Sequence, residues 1–259
     1  MRISDYTSRA RLEALHCPLR EVCPLAFLCG TQIENGKHLL PTFSEFSAGE
    51  MIWTDLGSRR QVYVVRRGLL LSKVYANDAG EVPQGIFGPG MAGGIPDIWL
   101  PYVASDFYFF SGLVPGQLCT FDGEFVRDCI NALEASESHL VAARVIMNIT
   151  TDIYGQTLTR SHRRARERVV SVLLRMGKAL SRQPDFDGAI AVTHDDVAFL
   201  AGTERATTSK ELKELSREGC IELGYRQIRL LPPLWDAYGS LIEAALPFYD
   251  RYWGERQDS

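Results

Sequence analysis

Two sets of residues in this chain have types and spacing that suit chemistry. The first is six cysteines: Cys17, Cys23, Cys29, Cys119, Cys129 and Cys220. The N-terminal stretch "MRISDYTSRARLEALHCPLREV" lacks the apolar core of a secretory signal, so a cytoplasmic setting is expected. Thiols there stay reduced, hold metal or sense redox state rather than form structural disulfides. The second set lies in "THDDVAFLAGTERATTSKELKELSREG". Thr203, Arg205, Thr207, Ser209, Lys210 and Lys213 are side chains that hydrogen-bond to base edges or phosphates. The net charge of −4 still permits this, because DNA binding needs only a local basic face.

The elements that must hold these residues can be read from periodicity. The chain has 259 residues, 46% of them apolar, enough for one large or two medium domains. No stretch is long and apolar enough to span a bilayer, so no membrane partner is expected. From His38 to Phe121, β-branched and aromatic runs alternate with Gly, Asp and Asn turns. "HLLPTFSEF", "RQVYVVRRG", "LLLSKVY", "SDFYFFSGL" and "QLCTF" read as separate short strands. "ANDAGE" is a hairpin turn and "GPGMAGG" a glycine-rich loop. Many short strands imply a sandwich or small barrel.

From Gly123 to Gln183 the period becomes helical. Leu140, Met147 and Tyr154 share one face, and Ala142, Ile146, Ile149 and Ile153 another. Two apolar stripes need two surfaces: one the chain's own barrel, the other a second copy of the helix. Gly155 is expected to bend or weaken this helix.

Next come two short helices, with Thr193 as the first cap and Gly202 as its end. Ala198, Gly202, Val197, Leu200, Leu212 and Leu215 meet the packing needs of a helix-turn-helix. "CIELGYRQIRLLPP" supplies a hairpin wing, and the basic run "RSHRRARER" adds phosphate attraction. An αα-hairpin with a solvated charged face would share the spacing but would need neither the wing nor the basic run.

In this order, "FSAGEMIWTDLGSRRQVYVVRRGLLLSKVYANDAGEVPQGIFGPGMAGG", "RARERVVSVLL" and "THDDVAFLAGTERATTSKELKELSREGCIELGYRQIRLL" resemble the cyclic AMP receptor protein / fumarate-nitrate reduction regulator (CRP/FNR) family over residues 40 to 232. The resemblance implies an α+β chain: an N-terminal cyclic-nucleotide-binding-like β-barrel (jelly roll), a long dimerisation helix and a C-terminal winged helix-turn-helix. The corresponding boundaries are 1–37 (cysteine-bearing segment), 38–134 (sensor barrel), 135–161 (dimerisation helix), 162–232 (winged helix-turn-helix) and 233–259 (helical extension). It also implies a sequence-specific transcription regulator that binds double-stranded DNA as a homodimer. The near-palindromic site would have half-sites about one helical turn apart. RNA polymerase is a further candidate partner. By position, Arg205, Ala206, Ser209 and Lys210 face the bases. Ala206 replaces a glutamate common in the family, which removes a contact to cytosine. Thr208 and Glu211 stand at positions usually apolar, and Glu211 needs a partner or an exposed rotamer.

The signal read by the barrel has several candidates. A cyclic nucleotide needs a cation for its phosphate, but "IPDIWLPYVASDFYFF" offers Asp97 and Asp106 instead, so cyclic AMP is disfavoured. The oxygen-sensing branch of the family carries N-terminal cysteines and one distant cysteine on a [4Fe–4S] cluster. This resemblance makes Cys17, Cys23, Cys29 and Cys119 candidate ligands, although both N-terminal spacings are C-x5-C, where that branch has a close C-x2-C pair. An aromatic pocket for a small uncharged effector, lined by Trp99, Tyr102, Phe107 and Phe109, is the other candidate. A regulator without a ligand also stays open.

An enzyme is not expected. The sequence contains no G-x-x-x-x-G-K-[ST], H-E-x-x-H or G-x-S-x-G, and a cupin-like barrel would need clustered histidines. A signalling or interaction module that does not bind DNA would explain the barrel and helix but not the basic face.

Overall fold

The computed structural model describes residues 16–26, 28–30, 39–52, 60–76, 80–98 and 108–243. Its N-terminal half is built around two long strands. Strand β3 (Gln61–Ala76) pairs antiparallel with β6 (Tyr108–Asp122) along almost its whole length. Short strands complete the sheet: β1 (Thr42–Phe46) and β2 (Met51–Ile52) on β6, and β4 (Gly80–Phe87) and β5 (Ala92–Gly93) on β3.

The expectation of separate short strands is corrected here. "RQVYVVRRG" and "LLLSKVY" run together as β3, and the described part of "SDFYFFSGL", from Tyr108 on, joins "QLCTF" in β6. Gly68 does not break its strand. It has φ +77°, and a Cβ there would lie 2.5 Å from the Val114 carbonyl oxygen. The register between β3 and β6 shifts on either side of it. Bulges of this kind bend long strands, so the sheet folds over an interior of Phe46, Ile52, Tyr63, Val65, Leu70, Phe87, Met91, Phe110 and Leu118.

Asp122 caps helix α1 (Gly123–Asn131), its carboxylate accepting from the Phe125 N–H at 2.9 Å. Helix α2 (Ala135–Ser161) follows, 27 residues and about 40 Å long. It buries Val141 and Val145 against the barrel, and Thr151, Asp152, Gly155, Gln156 and Thr159 further down. Most of both apolar stripes read from the sequence lies outside this buried face: Leu140, Ile146, Ile153 and Tyr154 are exposed in the single chain, while Ile149 packs against the barrel core. Gly155 has a different role from the one expected. A Cβ there would meet Arg175 Nε at 2.8 Å, so the glycine makes room for a guanidinium.

The helical run stops at Ser161 without Pro or Gly and resumes as α3 (Ala165–Leu180). Arg168 holds the turn, donating to the carbonyls of His162 at 3.1 Å and Arg163 at 3.3 Å. From Val169 to Leu180, all but Lys178 are buried. The core around α3 contains barrel residues Leu69, Leu71, Ile86, Leu113 and Val114 as well as the C-terminal module. Among the described residues no helix is long and apolar enough to cross a membrane.

The C-terminal module follows the sequence closely. Helix α4 (His194–Ala201) opens on a capping box: the Asp196 N–H donates to Thr193 Oγ1, and the Asp196 carboxylate accepts from the Thr193 N–H. Gly202 ends it in the left-handed region at φ +59°. Helix α5 (Arg205–Arg217) begins after Glu204. Strands β8 (Ile221–Gly224) and β9 (Gln227–Leu230) form the wing, with β7 (Ala189–Ile190) on the far side of β9. Helices α6 (Pro232–Tyr238) and α7 (Ser240–Glu243) close the same core through Leu234 and Ile242. The described part of the extension therefore packs with the helix-turn-helix.

Candidate nucleic-acid interface

Helix α5 is held by its apolar side. Leu212 and Leu215 are fully buried against Val197, Leu200 and Ala201 of α4. Thr208 is also fully buried, which would be costly for an unpaired hydroxyl. It is paired: Thr203 Oγ1 lies 2.6 Å away, so a position usually apolar is filled by a satisfied hydroxyl pair. Glu211 is half-buried.

The opposite side faces solvent. Arg205, Ala206, Lys210 and Lys213 are exposed, and Thr207 and Ser209 are half-buried beside them. Arg205 Nε is 3.3 Å from Asp195 and Lys210 Nζ is 4.0 Å from Glu214. Both pairs are well solvated and worth little, so a phosphate or base can replace either carboxylate at small cost. Thr203 is half-buried, its hydroxyl engaged with Thr208.

One neighbour was missed by sequence reasoning. His194 Nδ1 is 2.9 Å from Ser209 Oγ and fixes the serine on the exposed face. Partial burial, with Arg205 and Lys213 adding to it, lowers the His194 pKa against the opposing pull of Asp195. The imidazole is therefore mostly neutral near pH 7. Its place in the first turn of α4, one helix before the serine, was the available signal.

The basic run divides by role. Arg166 bonds to Glu218 and to the Tyr238 hydroxyl, tying α3 to α5 and α6. Arg168 donates to the Ala201 carbonyl at 3.0 Å, satisfying the end of α4. Arg160, Arg163 and Arg164 remain exposed and available for phosphate. At the wing tip Tyr225 is 94% exposed, and Arg226 beside it sits at φ +51°.

The cysteines form a second cluster, away from this face. Cys17, Cys23 and Cys29 lie on a chain of tight turns with Leu19, Leu25 and Leu28 buried, and Cys29 bridges to Leu39. This segment shares one core with Cys119 of β6 and with Val141 and Val145 of α2. Every pair among the four thiols is close enough for charge on one to disfavour charge on the other. Burial raises the pKa of Cys23, of Cys29 to about 11 and of Cys119 to about 12, while Arg66 pulls the last two down. These thiols are protonated at neutral pH unless a cation joins them. Among the described residues no three Cys, His, Asp or Glu side chains are grouped to hold a single metal ion. The four thiols share one core but are not drawn together around an ion.

Of the aromatic residues expected to line an effector pocket, Trp99, Tyr102 and Phe107 lie outside the described residues. Phe109 is buried in β6, 4.8 Å centroid to centroid from Tyr75 and under the Lys73 ammonium.

Residues 167–233 match the family model of the Crp-like helix-turn-helix domain. The transcriptional regulator SdrP of Thermus thermophilus is 27% identical over 195 residues, 72% of this chain and 88% of that protein. Among solved structures the fold is similar to TTHB099, a CRP-family transcriptional regulator from the same organism. The TM-score is 0.60 at 20% identity, over 78% of this chain and 99% of that one. It is also similar to FixK2 from Bradyrhizobium japonicum, with TM-score 0.59 at 18% identity, over 78% and 98%. A solvent-facing basic helix in a capped helix-turn-helix, within the segment that matches the Crp-like domain, marks a transcriptional regulator with a Crp-like helix-turn-helix DNA-binding domain, on a chain similar in sequence to SdrP and in fold to CRP-family regulators.

Proposed function

We propose that this regulator binds a near-palindromic DNA site as a homodimer, each copy presenting α5 to a major groove. The observation that carries the reading is the unburied side of α2. Ala143, Ile146, Thr150, Ile153 and Thr157 recur at alternating spacings of three and four, a heptad seam. Ile146 is 61% and Ile153 47% exposed, although α2 buries its other side in its own chain. Leu140, Met147 and Tyr154 flank the seam on one side and Ala142 on the other, while Ile149 packs on its own chain's core. A second α2 seated there covers the exposed residues of both stripes at once and sets two recognition helices on one face of the duplex.

Within each copy, Arg205, Ala206, Ser209 and Lys210 are proposed to meet base edges, with Thr203, Thr207 and Lys213 on the adjoining backbone. Arg205→Ala and Lys210→Ala should each weaken binding to a duplex enriched by selection with the wild-type protein by about 1–3 kcal/mol. Titration at fixed salt measures this. Wild-type affinity in both variants would remove α5 from the interface.

For the signal, the shared core of Cys17, Cys23, Cys29 and Cys119 favours a redox-responsive centre, with a [4Fe–4S] cluster as the group these thiols would hold. Such a cluster supplies sensitivity to oxidants. The chain's contribution is a buried thiol core that also contains Val141 and Val145 of α2, so a change at the thiols bears on the dimer helix directly. Anaerobically purified protein should show broad visible absorption and about four iron per chain. Colourless, iron-free protein would shift the signal to an uncharged small molecule.

A further inference from the structure

Below the dimer seam lies a buried polar group that the functions above do not use. Asp152 and Arg175 are both almost wholly buried, with Arg175 Nη2 3.1 Å from Asp152 Oδ1. The same carboxylate oxygen accepts from the Ile86 N–H of β4 at 2.7 Å. Arg175 Nη1 donates to Gln156 Oε1 at 2.8 Å and to Thr159 Oγ1 at 3.3 Å, and Thr159 pairs with Ser171 at 2.9 Å. Gln156 Nε2 then donates to the Leu200 carbonyl at 2.9 Å. A continuous path therefore runs from barrel strand β4, through α2 and α3, to the last turn of α4, the first helix of the helix-turn-helix.

Two glycines clear space for it. A Cβ on Gly85 would stand 1.5 Å from Asp152 Oδ2, and one on Gly155 would meet Arg175 Nε at 2.8 Å. An ion pair of this kind is poor as mere cement, since apolar residues of equal volume commonly serve as well or better. Its advantage is geometric: each member is satisfied in one arrangement and costly to leave half-made.

Building on the regulator reading, we infer that Asp152, Arg175 and Gln156 form a joint that fixes α4, and so recognition helix α5, relative to the barrel and dimer helix. They act as positioning residues for DNA recognition. The charged side chain acting on the Asp152 carboxyl is Arg175 of α3; β4 contributes a backbone N–H and α4 acts through Gln156. Burial pushes the Asp152 carboxyl up to about 7, with Arg175 and the Ile86 N–H pulling it down.

The test uses full-length protein and Gln156→Leu, which cuts the link to α4 while leaving the ion pair, beside Asp152→Asn. Hydrogen exchange reads the joint without DNA. Gln156→Leu should speed exchange over residues 194–201 and leave strand β3 protected; an unchanged pattern overturns the joint. With the selected duplex, Gln156→Leu should lose about tenfold in specific affinity and little in binding to random duplex. Asp152→Asn, which removes the carboxylate from the pair, should lose specific affinity in the same way. Full specific affinity in either variant would also overturn it. A wild-type chain that enriches no duplex fails the regulator reading separately, while the exchange result still decides whether the joint exists.

Discussion

Single side chains in this protein are legible in sequence when they act through the backbone and illegible when they act through space. Thr193 and Gly202 were evident as cap and stop because those roles need only local neighbours. Asp152 and Arg175, 23 positions apart, carry no local sign of their pairing, and Gly155 reads as a helix defect until the guanidinium over it is seen. His194 beside Ser209 is hidden for the same reason. The buried aspartate has a consequence for stability. Its carboxyl titrates at about 7 in the folded chain and near its ordinary 3.8 when unfolded. The folded state therefore holds a proton that the unfolded state releases between those values. This contribution to stability is full below about pH 3.8 and is lost as pH rises through 7. Thermal melts across that range should show wild type losing stability with rising pH relative to Asp152→Asn; parallel curves would refute the assignment.

At the scale of elements, type was clear and extent was not. The period change after Phe121 correctly divided strands from helices, yet glycines and register shifts let β3 and β6 continue through what read as breaks. The end of α2 at Ser161 depends on Arg168 bonding two turn carbonyls, which no propensity encodes. The apolar stripes of α2 were visible, but not which side the barrel would take. It takes Ile149 of one stripe together with Val141 and Val145 and leaves Leu140, Ile146, Ile153 and Tyr154 exposed. In the proposed dimer the heptad seam meets the partner helix. Ile153→Asp should place two charges against each other in that seam and convert a dimer to monomers with intact helix content. Sedimentation with circular dichroism measures both, and a variant that stays dimeric would locate the interface elsewhere.

In the whole molecule, the resemblance carried the architecture because three segments stood in the right order, each too weak alone. It carried less about the signal. Cys17, Cys23, Cys29 and Cys119 share one core beside α2, which spacing alone could not establish, while most of the aromatic residues named for a pocket lie outside the described residues. The proposed dimer is a pair of basic helices held at fixed separation by the α2 seam. Selection of random duplexes by the purified wild-type protein tests that claim most directly. The enriched sequences should contain two inverted half-sites with centres about 34 Å apart, one helical turn. Enrichment of a single unpaired element, or of none, would contradict it.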